Sequence, residues 1–297
     1  MKKWKSIYWI SLTLCLLLAP ATAAMAKPIV FVSIVPQLYF VDRIAGDLVD
    51  TRVLVKPNAN PHMYEPTPSQ MAALSKAKAY FAIGITLEEA WLPRINGANP
   101  SLRIVSTQEG IKKIPMATHE GHADKHEHEE HEHGTLDPHI WLDPVRAQTI
   151  ARNTCQGLIK ADPQNKNTYE ANLAALLSEI KNTDNTITKI MHRIPSDKRS
   201  FLVFHPSWGY FADRYNLNQM AIEAEGKEPG PKDLAQIIKL ARENGIKVIF
   251  VAPQFSQKAA RVIANEINAQ VVPLDPLSED WENNLLKAAQ AFEASLN

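Results

Sequence analysis

Ten histidines occur in the 297 residues, and seven of them lie between positions 119 and 139. Neutral imidazole is the commonest metal ligand in proteins, so metal chemistry is the first question this chain raises. The histidine-dense stretch has two parts. His119, His122, His126, His128, His131 and His133 alternate with acids and have almost no apolar neighbours. That composition suits a long flexible loop of weak, auxiliary metal affinity, since each ligand loses conformational freedom when it is ordered. The part that follows is Asp137-Pro138-His139-Ile140-Trp141-Leu142-Asp143-Pro144, in which one histidine stands among apolar and aromatic residues. His139 is therefore expected in an ordered segment.

Three more residues share a kind of placement with His139. Continuous apolar runs predict strands over residues 28–35, 51–55, 79–83, 103–105, 200–204, 219–222, 247–251 and 270–274. Helices are expected over 37–45, from 67 onward, and over 144–159, 165–193, 231–244, 257–267 and 280–294. Strands alternating with helices predict an α/β fold with parallel sheets, and such sheets bind ligands beyond the carboxyl ends of their strands. His62 follows the second strand by a short Pro/Asn loop. His205 directly follows Phe204, Asp275 directly follows Leu274, and His139 lies in the connection that leaves the first sheet. Three imidazoles and a carboxylate suit a four-coordinate zinc ion. Nitrogen donors favour zinc or another late transition metal over magnesium or calcium, which take oxygen. Glu65 and water compete with Asp275 for the fourth position. Spacing alone does not force convergence. His62 is compatible with a plain loop, His205 with a hydrogen-bonded core histidine, and Asp275 with a turn or helix cap.

The pattern between residues 165 and 193 predicts one helix of unusual length. Leu173, Leu176, Leu177, Ile180, Ile187, Ile190 and Met191 recur at helical spacing with no Pro or Gly between them. Such a helix is long enough to strut between two halves. The expected organisation is a segment 1–26, an amino-terminal α/β lobe over 27–162 with the His-rich loop at 117–136, a linking helix over 163–194, and a carboxyl-terminal α/β lobe over 195–297. No sequence repeat at fixed period is evident.

Residues 1–26 have the three parts of a secretory signal peptide. Lys2, Lys3 and Lys5 precede an apolar run over residues 7–18, and Ala24-Met25-Ala26 supplies the cleavage site. An exported, periplasmic protein is expected. Removing the signal takes Cys15 with it and leaves Cys155 alone, so no internal disulfide is expected. It leaves 29 basic against 32 acidic residues, a balance that gives no reason to expect nucleic acid as a partner. Signatures of catalysis are missing. His128-Glu129-Glu130-His131 is one residue short of H-E-x-x-H, there is no G-x-S-x-G, and no Gly-rich phosphate loop occurs.

Three blocks carry a family resemblance. They are Asn60-Pro61-His62-Met63-Tyr64-Glu65-Pro66-Thr67-Pro68-Ser69, the Asp137 to Pro144 block, and Phe204-His205-Pro206-Ser207-Trp208-Gly209-Tyr210-Phe211-Ala212. Together with Glu225-Gly226-Lys227-Glu228-Pro229-Gly230-Pro231 and Leu274-Asp275-Pro276-Leu277, they resemble the metal-binding solute-binding proteins of ABC transporters (cluster A-I, cluster 9). The acidic His-rich loop is similar to that of the zinc-uptake, ZnuA-type branch. The resemblance implies two α/β lobes joined by one rigid helix, with the metal between them and His62, His139 and His205 as ligands. The expected protein is a monomer, not an enzyme, that binds Zn²⁺ and delivers it to a membrane ABC permease. A zinc-dependent hydrolase on the same three histidines and a metal-binding surface adhesin are the alternative readings.

Overall fold

The computed structural model describes residues 26–117, 136–223 and 229–297. The expected signal segment through residue 25 lies outside the described residues. So do His119, His122, His126, His128, His131 and His133, and residues 225–228 of the fourth block.

The first half of the chain forms β1 (Ile29–Val32), α1 (Pro36–Ala45), β2 (Asp50–Val53), α2 (Pro68–Leu74), β3 (Ala79–Ala82), α3 (Thr86–Ala98) and β4 (Arg103–Ser106). All pairings are parallel and the strand order is β2-β1-β3-β4. Then come α4 (Pro144–Ala161) and α5 (Lys166–Met191). The second half forms β5 (Ser200–Val203), α6 (Gly209–Tyr215), β6 (Asn218–Ala221), α7 (Pro231–Glu243), β7 (Val248–Val251), α8 (Lys258–Ile267), β8 (Gln270–Pro273) and α9 (Trp281–Leu296). Its sheet is again parallel, in the order β6-β5-β7-β8. The fold is therefore two α/β lobes with one strand order used twice. A shared topology needs only buried apolar strands at similar positions, so it leaves no residue-by-residue repeat. The inner strands β1, β3, β5 and β7 are buried almost throughout, whereas the edge strand β4 is largely exposed.

α5 has 26 residues and is about 39 Å long at the helical rise. Its buried side carries Tyr169, Leu176, Ile180, Ile187, Ile190 and Met191, and it packs on α1, α4 and α9. The lobes share more than this helix. One apolar core runs from Phe31 and Phe81 in the first lobe to Phe201, Phe211 and Phe292 in the second, and a smaller core fills the far side of the second sheet. Two tryptophans fasten the lobes beside the cleft. Trp281 Nε1 donates to Trp141 O at 2.6 Å, and Trp141 Nε1 donates to Pro276 O at 2.8 Å. Tyr39 and Phe40 of α1 place their rings 5.5 Å from that of Trp281.

Two helices were not expected from the sequence. α3 contains Pro93, which masks the periodicity, and α6 has only seven residues, too few to show one.

Trp281 is thus both core and clasp. Trp281→Ala is expected to lower the stability of the metal-free protein by about 3–5 kcal/mol, as for other large aromatic deletions in a core. Trp281→Phe, which keeps much of the ring and loses the bond to Trp141, is expected to cost about 1–3 kcal/mol. Urea unfolding measures both, and an unshifted midpoint for Trp281→Ala would refute the assignment.

Candidate metal centre

The loop bearing His62 is fixed at both ends. Asn60 Oδ1 accepts from His62 N at 2.9 Å and starts a 3₁₀ turn over Pro61–Met63. Thr67 and Gln70 form a reciprocal cap at the start of α2, and Gln70 Nε2 donates to Leu54 O at 2.6 Å. His139 precedes a 3₁₀ turn over Ile140–Leu142, after which Asp143 caps α4 by accepting from Val145 N at 2.9 Å. His205 leaves the carboxyl end of β5. All three therefore sit in hydrogen-bonded segments of the connections between strands and helices, two from the first lobe and one from the second.

Two buried carboxylates aim the rings. Asp137, 0% exposed, accepts at Oδ1 from His139 Nδ1 at 2.7 Å and from His139 N at 2.8 Å. Glu223, just past β6 and also buried, accepts at Oε1 from His205 Nδ1 at 2.6 Å. Carboxylates in these places select the tautomer with the proton on Nδ1, which leaves the Nε2 lone pair for a metal. The Nε2 atoms do converge: His62 and His205 are 3.3 Å apart, and so are His205 and His139. A tetrahedral ion with Zn–N bonds of about 2.0–2.1 Å needs nitrogens about 3.3–3.4 Å apart. Among the described residues, the ligand atoms lying within 4.8 Å of one another are those of His62, His139 and His205.

The surroundings of His62 and His205 disfavour the charged form of their rings. The cavity they face has a volume of about 30 Å³ and is walled by Leu87, Pro138, Phe255, Pro276 and Leu277. Phe255 stacks on His205 at 4.9 Å, and Trp141 meets His139 edge-on at 5.2 Å. Burial of its ring holds the pKa of His62 down to about 4, and the neighbouring His205 and His139 act in the same direction. Burial also lowers the pKa of His205, against the opposing hydrogen bond to Glu223. His62 lies on the open side of the cleft: the residue as a whole is exposed while its ring faces the other two.

Another buried acid shapes the wall. Glu88, 4% exposed, accepts from Ile83 N at 2.8 Å, from Gly84 N at 2.7 Å and from Ser33 Oγ. These bonds fix the loop that presents Ile85, Thr86 and Leu87 to the cavity. Burial raises the pKa of Glu88 although every one of those bonds acts to lower it.

Asp275 lies beside the cavity with its carboxylate engaged. Oδ1 accepts from Leu277 N at 2.9 Å and from Gln254 Nε2 at 3.0 Å. Glu65 is exposed. Neither belongs to the convergent group of ligand atoms. Sequence reasoning missed the supporting acids Asp137, Glu223 and Glu88. Asp137, two residues before His139, and Glu223, directly after a strand, carried the only local signals.

Residues 30–294 match the family model described as zinc-uptake complex component A, periplasmic. The zinc-binding protein AdcA of Streptococcus pyogenes is 29% identical over 92% of this chain, and the chain spans only 55% of that protein's length. The high-affinity zinc uptake system protein ZnuA of Bacillus subtilis is 29% identical, covering 93% of this chain and 89% of that one. A crystal structure of ZnuA is 41% identical with a TM-score of 0.83, covering 92% of this chain and all of that one. A zinc-bound deletion mutant of ZnuA superposes almost as well, with a TM-score of 0.82. With nearly its whole length matched and three imidazoles converging where its lobes meet, the chain belongs to the family of periplasmic component A of zinc-uptake complexes.

Proposed function

We propose that the chain captures Zn²⁺ outside the cytoplasm and hands it to a membrane ABC permease, with His62, His139 and His205 as the ligands. The observation that carries this reading is the convergence of three histidine ligand atoms, with His205 Nε2 at the spacing of a zinc tetrahedron from the Nε2 of both His62 and His139. The bond of Asp275 to Gln254 and Leu277 favours water in the fourth position. Residues 1–26 serve as a cleavable signal directing the protein to the periplasm, and no described helix is long and apolar enough to cross a membrane. The mature chain works as a monomer of two lobes, 27–162 and 195–297, joined by the helix within 163–194. The segment from His119 to His133 collects further zinc weakly.

Binding without turnover is the better reading of the chemistry. A hydrolase needs a base free to act beside the metal. The acids nearest the histidines, Asp137 and Glu223, are already hydrogen-bonded to imidazole Nδ1, and Glu65 is exposed. Burial pushes the Cys155 thiol up to about 11, away from use as a nucleophile.

Competition with a chromophoric chelator tests the ligand set. The mature protein should bind one zinc tightly. His205→Ala should weaken that site by more than the roughly 10–100-fold that losing an outer-sphere partner costs, and Glu223→Gln should fall within that range. Deleting residues 119–133 should remove weaker ions and leave the tight one, and loss of the tight ion would overturn the assignment. Growth under zinc limitation with and without the gene tests delivery, and unchanged uptake would count against it.

The pH dependence follows from the lowered pKa of His62. Above the ordinary value of 6.5 neither the folded nor the unfolded chain protonates this ring. As pH falls below 6.5 the unfolded chain takes up the proton first, so stability of the metal-free protein declines until about pH 4, where the folded ring protonates too. Thermal unfolding of metal-free protein between pH 7 and 4 should show this decline, and His62→Gln should make it shallower.

A further inference from the structure

Gly209 opens α6 in the second lobe, and its backbone gives no reason for glycine. The described glycines with positive φ are Gly46, Gly84, Gly110 and Gly245, and elsewhere in a helix glycine is less stable than alanine. The reason lies in what it touches. A Cβ at Gly209 would stand 2.5 Å from Asp137 Oδ2, inside the contact distance of unbonded atoms. Asp137 cannot move aside cheaply. It is fully buried, its Oδ1 holds His139, and its main-chain oxygen accepts from Tyr210 Oη at 2.7 Å. Tyr210 Oη in turn accepts from Ile114 N at 3.2 Å. Gln219 closes the far side. Its Oε1 accepts from Trp208 N at 2.8 Å, and its Nε2 would lie 3.7 Å from the same Cβ. Asp137 Oδ2 and Gln219 Nε2 are both buried, and neither has a hydrogen-bond partner among the described residues.

We propose that Gly209 is a positioning residue of the zinc site, acting through Asp137. Its missing side chain leaves a seat in the second lobe, and the first lobe's Asp137 carboxylate fits that seat and aims the His139 ring. The reading rests on the zinc site proposed above and adds a link between the lobes. His205 lies four residues before Gly209 on the same segment. A displacement of the second lobe therefore withdraws one ligand and unseats the support of another in a single movement, which makes release steep.

A double-mutant cycle tests this. Gly209→Ala, Asp137→Ala and the double variant are compared for zinc affinity by chelator competition. Each single change should lower affinity about 10–100-fold, the range for loss of an orienting partner. The double variant should be no weaker than Asp137→Ala alone, because Gly209 acts only through that carboxylate. Costs that add, or wild-type affinity in Gly209→Ala, would overturn the proposal. If Gly209→Ala does not fold, the double variant, which lacks the clashing carboxylate, should fold and match Asp137→Ala; a double variant that also fails to fold overturns it. A second readout is the nitrogen-15 NMR of the metal-free protein. Gly209→Ala should change the tautomer signature of His139 and leave that of His205 on Glu223 unaltered, whereas a general packing defect would disturb both or neither. Failure of the underlying zinc reading shows separately, as unchanged zinc binding in His205→Ala.

Discussion

The His205 Nε2 faces those of His62 and His139 across little more than van der Waals distance, and the arrangement depends on the hydrogen bonds behind two of the rings. An imidazole can offer a lone pair from either nitrogen, and a free side chain divides its time between tautomers and rotamers. With Nδ1 of His139 on Asp137 and Nδ1 of His205 on Glu223, both choices are made before any ion arrives. Buried carboxylates cost free energy unless they are bonded. Asp137 meets that cost with the ring and main-chain N–H of His139 at one oxygen, and the other oxygen is confined by Gly209.

The fold serves this constraint. Each lobe's parallel sheet points its strand ends at the cleft, so the connections that leave those ends also carry the three histidines. The Trp141–Trp281–Pro276 bonds and the common apolar core hold the lobes in register. Packed cores of this kind transmit small shifts rather than absorb them. A site built to a nitrogen spacing of 3.3 Å is sensitive to such shifts.

The chemistry of the donors matches the family. Nitrogen donors and a small cavity walled by Leu87, Phe255, Pro276 and Leu277 suit a borderline-soft ion that gives up most of its water. Harder ions lose more from the absence of oxygen donors in the convergent group.

Much of this was legible in the residues. The inner strands are apolar runs because both of their faces are buried. α5 announces itself over seven turns, and His62, His139 and His205 stand out as histidines in the connections that follow those runs. The alternation of elements determined the α/β class, and the donor types determined the kind of ion. Convergence itself was not legible, since the three histidines are separated by 77 and 66 residues of chain and no local pattern encodes a meeting across two lobes. Nor were the roles of Asp137, Glu223 and Glu88, because an acid is assigned a partner only when burial and distance are known. Asp275, with the same strand-end signature as His205, was drawn to Leu277 and Gln254 instead. Sequence determined which residues could serve the site, through type and place on an element; the tertiary structure alone decided which of them meet, because that depends on how two separately folded sheets are set against each other.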